Sequence, residues 1–232
     1  MSQHQNRLLS CIPAVVFEAL RPHLSLFELK LGDVIAETRG TIDRVYFPHS
    51  GIISLVVELA EGDLLETAMV GCDGVMGASS ALDGQVSLNK AMVQAPGVAS
   101  VVRAEKILEL AKAHDVFRSI LIRHDQVLFA QAQQAAACNA SHTVEARLCR
   151  WLLRMRDLAG DDDLPLTQEF LGRMLGVRRS SVSLVAATLQ QAGLIRYSRG
   201  HIRILNIDGL RDASCECYET VKAHYELLSS AR

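Results

Sequence analysis

Thr167-Gln168-Glu169-Phe170-Leu171-Gly172-Arg173-Met174-Leu175-Gly176-Val177-Arg178-Arg179-Ser180-Ser181-Val182-Ser183-Leu184-Val185-Ala186-Ala187-Thr188-Leu189-Gln190-Gln191 reads as helix, tight turn, helix. Thr167 is a natural cap for the first helix, Gly172 is small where the two helices cross, and Gly176 supplies the turn residue. Leu171, Leu175, Val177, Val182 and Val185 provide a shared core, and Ala186, Ala187 and Leu189 are expected to pack the second helix back onto its own domain. The polar residues Arg178, Arg179, Ser180, Ser181 and Ser183 gather at the start of that helix and face away from the core. A recognition helix uses its N-terminal residues in the major groove, where arginine is the usual bidentate partner of guanine and serine can donate or accept at bases and phosphates. The expected DNA-contacting set is these five residues together with Thr167 and Gln168 at the start of the first helix.

Downstream, Gly193 ends the second helix, and Leu194-Ile195-Arg196-Tyr197-Ser198-Arg199-Gly200-His201-Ile202-Arg203-Ile204-Leu205 alternates as two short strands about a glycine turn. The hairpin reads as a wing with Arg199 and His201 at its tip, placed for phosphate contact. A helical hairpin whose arginines are merely solvated would need turn, core and wing to agree by accident.

A net charge of −2 over 232 residues seems to argue against a polyanionic partner, yet it hides opposed blocks. Residues 1–110 carry −5, residues 111–164 are neutral, and residues 165–210 carry +4 from six arginines against Glu169 and Asp208. Phosphate contact needs clustered positive charge, not a basic average, so the +4 block is the candidate DNA surface. Composition is ordinary for a folded chain, with 49% hydrophobic and 22% charged residues, which excludes disordered and collagen-like classes. No apolar run approaches a membrane span, and Met1-Ser2-Gln3-His4-Gln5-Asn6-Arg7 lacks a signal-peptide core, so a cytoplasmic address without membrane contact is expected.

Working toward the N-terminus, the architecture changes. Nine of the fifteen glycines lie between Gly32 and Gly97, separating short β-branched segments such as Arg44-Val45-Tyr46-Phe47, Gly51–Val57, Leu65–Val70, Ala91–Ala95 and Ala99–Val102. The turn pieces between them include Pro48-His49-Ser50-Gly51, Glu61-Gly62-Asp63, Asp83-Gly84 and Pro96-Gly97, a spacing that predicts an antiparallel sandwich or roll preceded by a short helix near Pro13. From Val98 to Ala159 there is no glycine or proline, and the chain reads as helix. Phe117, Leu121, Leu128 and Ala135 form one apolar series, expected on the β-domain. Ile120, Val127 and Gln134, at seven-residue steps, form another that can meet a copy of itself across a two-fold axis. A helix buried wholly within its own chain is the alternative. Asn139-Ala140-Ser141 is expected to be a hinge before a helix through 143–158, and Gly160–Pro165, with Asp161-Asp162-Asp163, a solvated loop.

The expected fold class is therefore α+β. Residues 1–110 are expected to form an antiparallel β-roll domain, residues 111–140 a long dimerisation helix and hinge, and residues 141–232 a winged helix-turn-helix DNA-binding domain. In this order of elements the chain resembles the Crp/Fnr family of bacterial transcription regulators over nearly its whole length, a resemblance that implies the β-roll to be a sensor domain. Val144-Glu145-Ala146-Arg147-Leu148-Cys149-Arg150-Trp151-Leu152-Leu153 looks like the family's post-hinge helix, and Gly32-Asp33, Val45-Tyr46-Phe47-Pro48 and Val70-Gly71-Cys72-Asp73-Gly74 like its cyclic-nucleotide-binding-like jelly roll. The resemblance implies a homodimer on a two-fold-related DNA site, an effector in the roll that shifts the DNA-binding domains, and contact with RNA polymerase. The recognition helix departs from the cyclic-AMP-responsive branch, which presents Arg-Glu and a later Arg where this chain has Arg179, Ser180 and Leu184.

The branch's ligand residues are also missing. Val75–Leu82 holds no glutamate for a ribose and Gln85–Met92 no arginine for a cyclic phosphate, so a cyclic nucleotide is not the expected ligand. Met76, Gly77, Lys90, His124 and Gln131 are the candidate contacts for an unidentified small-molecule effector. No cofactor is evident, and the closely spaced N-terminal cysteines of the iron–sulfur branch are absent, Cys11 standing alone there. Cys215 and Cys217, taken as two apart on one helix, are expected on different faces as packed thiols, and His142 as a polar interface residue, so no metal site is expected. The β-half shows no nucleophile, paired-carboxylate or metal-ligand constellation, so the chain is not expected to be an enzyme. The rival reading is a small-molecule-binding β-domain protein whose C-terminal module mediates protein contacts.

Overall fold

The computed structural model describes residues 6–82 and 86–230, so the expected turn at Asp83-Gly84 and the start Met1–Gln5 lie outside the described residues. Two short helices, α1 (Arg7–Cys11) and α2 (Ala14–Leu20), lead in, with Asn6 capping α1 and Pro13 preceding α2. The roll follows as β1 (Ser25–Leu29), β2 (Val34–Ala36), β3 (Arg44–Pro48), β4 (Ile52–Glu58) and β5 (Leu64–Val70). It is completed, after the short helix α3 (Ala78–Leu82), by β6 (Lys90–Ala95) and β7 (Gly97–Arg103). The strands form two antiparallel sheets, ordered β1-β7-β3 and β2-β6-β4-β5. Between them lie Leu29, Tyr46, Ile53, Val70, Val93 and Val101, the inward half of each alternating strand.

The helical stretch divides into α4 (Ala104–Ala113) and α5 (Asp115–Ser141), broken where His114 takes an extended conformation. α5 runs straight through Asn139-Ala140-Ser141, so the hinge expected there falls later, at His142-Thr143. Thr143, whose hydroxyl accepts from the Ala146 N–H, caps α6 (Val144–Ala159). The helix is prolonged because the C-terminal helix packs along its last turns and buries Ala135 and Cys138.

Beyond Gly160, which closes α6 in the left-handed conformation, the expected acidic loop instead contributes a short strand, β8 (Asp163–Leu164). The C-terminal unit expected to read DNA, hereafter the reader, comprises α7 (Gln168–Leu175), α8 (Arg179–Gln191), β9 (Ile195–Ser198) and β10 (His201–Ile204), with sheet order β8-β10-β9. α9 (Ile207–Asp212) and α10 (Cys217–Ser230) complete the chain. No helix among the described residues is long and apolar enough to cross a membrane.

One core joins reader and roll. Trp151, Leu152 and Met155 of α6 and Leu171 and Leu175 of α7 cluster with Ile52, Val56, Met69 and Ala95 of the roll. Polar links reinforce it. The Trp151 indole donates to Glu66 at 2.8 Å, and Arg154 pairs with Asp73 at 2.8 Å with both side chains buried.

Candidate nucleic-acid interface

The turn between α7 and α8 is built by its two glycines. A Cβ on Gly172 would stand 2.9 Å from the Val177 carbonyl oxygen, so only glycine admits this crossing. Gly176 ends α7 at φ +62°, a left-handed position that other residues adopt at a cost. Thr167 caps α7 by accepting from the Phe170 N–H, and Gln168 accepts from the Ser183 hydroxyl, so these two residues fix the helix pair and do not stand free. Val182, Ala186 and Leu189 are buried, whereas Ala187 is exposed, contrary to its expected packing role. The reason is register: positions 180, 184, 187 and 188 share the outward face of α8.

That face is where the site residues gather. Arg178, Arg179 and Ser180 are exposed at the helix start, and Ser181 and Ser183 are partly exposed behind them. Leu184 is 71% exposed in their midst, an apolar group of the kind that meets a thymine methyl; sequence reading saw it only as a departure from a motif. At the wing, Arg199 (φ +50°) and Gly200 (φ +81°) form the two-residue turn, a conformation matching the right-handed twist of the flanking strands. Arg199 projects at the tip, while His201 lies within 3.2 Å of an Asp163 carboxylate oxygen and is thereby engaged. Arg178, Arg179, Arg196, Arg199 and Arg203 make no ion pair among the described residues, whereas Arg173 is paired to Glu169 at 2.7 Å. A surface of uncompensated guanidinium groups around an exposed helix start is suited to a polyanion.

The effector candidates separate. Met76, Gly77 and His124 line a cavity of about 480 Å³ between the roll and α5, together with Ser87, Leu128 and Phe129. Lys90 lies outside that lining and is held by Glu58 at 2.8 Å and Glu37 at 3.4 Å. Gln131 also lies outside, accepting from the Tyr225 hydroxyl at 3.0 Å. Burial lowers the His124 pKa to about 4, so the ring is neutral, and its Nε2 accepts from the Val75 N–H. Among the described residues the cavity lining contains no lysine or arginine.

The outward stripe of α5 also differs from expectation. Ile120 packs into the core and Gln134 donates to the Cys217 sulfur, because α10 and the roll cover that side. Ile122 and Phe129, 44% and 65% accessible, instead form an exposed apolar face with Gln126 and Gln133. Cys215 and Cys217 are buried thiols as expected, but they do not point to different faces of one helix. Cys215 precedes α10 and does not lie within it, so the two sulfurs are not splayed by a helix; they converge with Cys138 and His142.

Residues 146–213 match the model of the Crp-like helix-turn-helix domain. Among solved structures, FixK2 from Bradyrhizobium japonicum is similar at 18% identity and a TM-score of 0.71, over 83% of this chain and 98% of that one. TTHA1359, a CRP/FNR-family transcriptional regulator from Thermus thermophilus, is 25% identical at TM-score 0.65, over 82% and 98%. The c-di-GMP-responsive regulator CLP of Xanthomonas campestris is 15% identical at TM-score 0.65, over 83% and 99%. No curated protein matches the sequence.

Proposed function

We propose that the chain is a Crp/Fnr-type transcription regulator that acts as a homodimer on two-fold-related sites in double-stranded DNA, a reading supported by the Crp-like helix-turn-helix domain at residues 146–213 and by the similarity in fold to FixK2. The observation that carries this reading is the exposed start of α8, where Ser180 is exposed and Arg178 and Arg179 make no ion pair among the described residues. In this reading α8 enters the major groove, Arg179 reads a guanine edge, Leu184 meets a thymine methyl, and Arg199 holds phosphate from the wing. The Ile122–Phe129 face of α5 meets its copy, which spaces the two recognition helices about one DNA turn, roughly 34 Å, apart.

The cavity between roll and α5 takes the effector. Among the described residues the lining has no cationic side chain and carries the Asp125 carboxylate, which gives a cyclic phosphate no counter-charge and suits a small non-anionic molecule. Leu128 and Phe129 belong to both the cavity and α5, so a ligand there bears directly on the dimer helix. A cytoplasmic site of action and contact with RNA polymerase belong to the same reading.

Sites selected from a random DNA library supply the specific operator for the test. Replacing Arg179 with alanine should weaken operator binding by about 1–3 kcal/mol, roughly 5- to 150-fold, while non-specific binding falls far less. Equal losses on both would assign Arg179 to phosphate and remove it from base reading. Operator affinity must also drop steeply as salt rises.

A further inference from the structure

We propose that Cys138, His142, Cys215 and Cys217 form a zinc site that fastens the C-terminal helix to the end of α5. Cys138 lies in the last turn of α5, and His142, four residues on, ends the helix with its N–H bonded to the Cys138 carbonyl at 3.0 Å, while Cys215 in the α9–α10 connection and Cys217 at the start of α10 come against them. The three sulfurs and one ring nitrogen all lie within 4.8 Å of one another. The Cys138 and Cys215 sulfurs are 3.5 Å apart, and the Cys217 sulfur is 3.6 Å from His142 Nδ1. A tetrahedral ion with metal–sulfur bonds of about 2.3 Å and metal–nitrogen bonds of about 2.05 Å needs edges of about 3.8 Å for sulfur pairs and about 3.6 Å for sulfur to nitrogen. The cluster is close to that size, and modest side-chain rotation closes the longer edges.

The surroundings are those of a ligating set. His142 Nε2 lies 3.2 Å from the Glu216 carboxylate, which orients the ring with Nδ1 toward the sulfurs, the outer-sphere arrangement that metal-bound histidines use. Gln134 donates to the Cys217 sulfur at 3.0 Å. Three thiolates and a dication leave one net negative charge, and the buried Arg147 and Arg150 guanidinium groups lie within electrostatic reach of Cys138, each with an Nε–H that lacks a hydrogen-bond partner among the described residues. Cys138, Cys215 and Cys217 are buried while His142 is partly accessible, leaving a route for the ion. Three sulfurs and one imidazole with no open position specify a closed, structural zinc site. Its location at the α5–α6 hinge makes metal occupancy a determinant of how firmly α10 holds that hinge.

The test uses the full chain, reduced and stripped with a chelator, and adds zinc alone against a chromophoric competitor. One ion per chain should bind with sub-micromolar affinity, and cobalt in its place should give the intense visible bands of a tetrahedral thiolate site. Cys217→Ser should abolish stoichiometric binding. Glu216→Gln, at an exposed position, should keep the fold and weaken zinc about 10-fold or more, while Cys11→Ser leaves it unchanged. Absence of stoichiometric binding overturns the proposal, as does affinity that survives Cys138→Ser/Cys217→Ser, or a Cys138–Cys215 disulfide that persists in reductant and refuses the ion.

Discussion

Burial lifts the Glu66 carboxyl to about 7, against the opposing pull of hydrogen bonds from Ser54 and Trp151 and of the Arg150 and Arg154 charges. An acid whose folded-state pKa exceeds its unfolded value holds its proton more tightly when folded. The buried carboxyl therefore costs the fold least at low pH, and stability falls as pH rises from about 4.5 through about 7, while the hydrogen bond from Trp151 itself strengthens on ionisation. Trp151 is the sole tryptophan and touches this carboxyl, so its fluorescence should titrate near neutrality in the native protein and lose that transition in Glu66→Gln. A flat profile in the parent protein would refute the shift. His124, held neutral down to about 4, adds nothing to a transition near neutrality. None of this was readable from sequence: Glu66 and Trp151 are 85 positions apart, and an isolated glutamate in a strand pattern looks like any solvated residue.

Elements set by local chemistry were the legible ones. The α7–α8 turn is dictated by Thr167, Gly172 and Gly176 within ten positions, and the roll's strands by alternation between glycine turns. Elements decided by a distant partner were not. The packing of α10 against α5 moved the hinge to His142-Thr143, buried the side carrying Gln134 and left Ile122 and Phe129 outward. The same packing made the cysteine–histidine cluster, whose four members come from two distant segments, 138–142 and 215–217, and match no short metal motif. If the Ile122 face is the dimer surface, Ile122→Glu should turn a dimer into a monomer in sedimentation, because each chain would place a carboxylate beside its copy's. Loss of the second reading head should then lower operator affinity on the order of 10²-fold or more. Ile122 is not part of the cavity lining, so the effect is separable from ligand binding. A variant that stays dimeric assigns the two-fold contact elsewhere.

At the scale of the whole molecule, an acidic N-terminal block of −5 lies against a +4 reader, and the two share one apolar core. The docking is pinned by Asp73 and Arg154, whose side chains are 7% and 8% accessible, with the Arg154 guanidinium stacked 4.2 Å above the Tyr225 ring. Arg154 therefore ties the roll to α6 and α10 at once. Opposite charge in a buried pair is expensive to break singly: truncating one partner leaves the other charge desolvated, at a cost of about 3–5 kcal/mol. Asp73→Ala should therefore do more than lower stability. Denaturant unfolding of the parent, followed by both Trp151 fluorescence and helical signal, should be a single coincident transition because the core is continuous. In Asp73→Ala the Trp151 signal should change at lower denaturant than the helical signal, since the stranded Arg154 drives reader and roll apart before either unfolds. Replacing both members with apolar residues of similar volume should restore coincidence, since a matched apolar pair leaves no charge behind. Transitions that remain superimposed in Asp73→Ala would mean that the apolar contacts of Trp151, Leu152 and Met155 alone hold the two halves together.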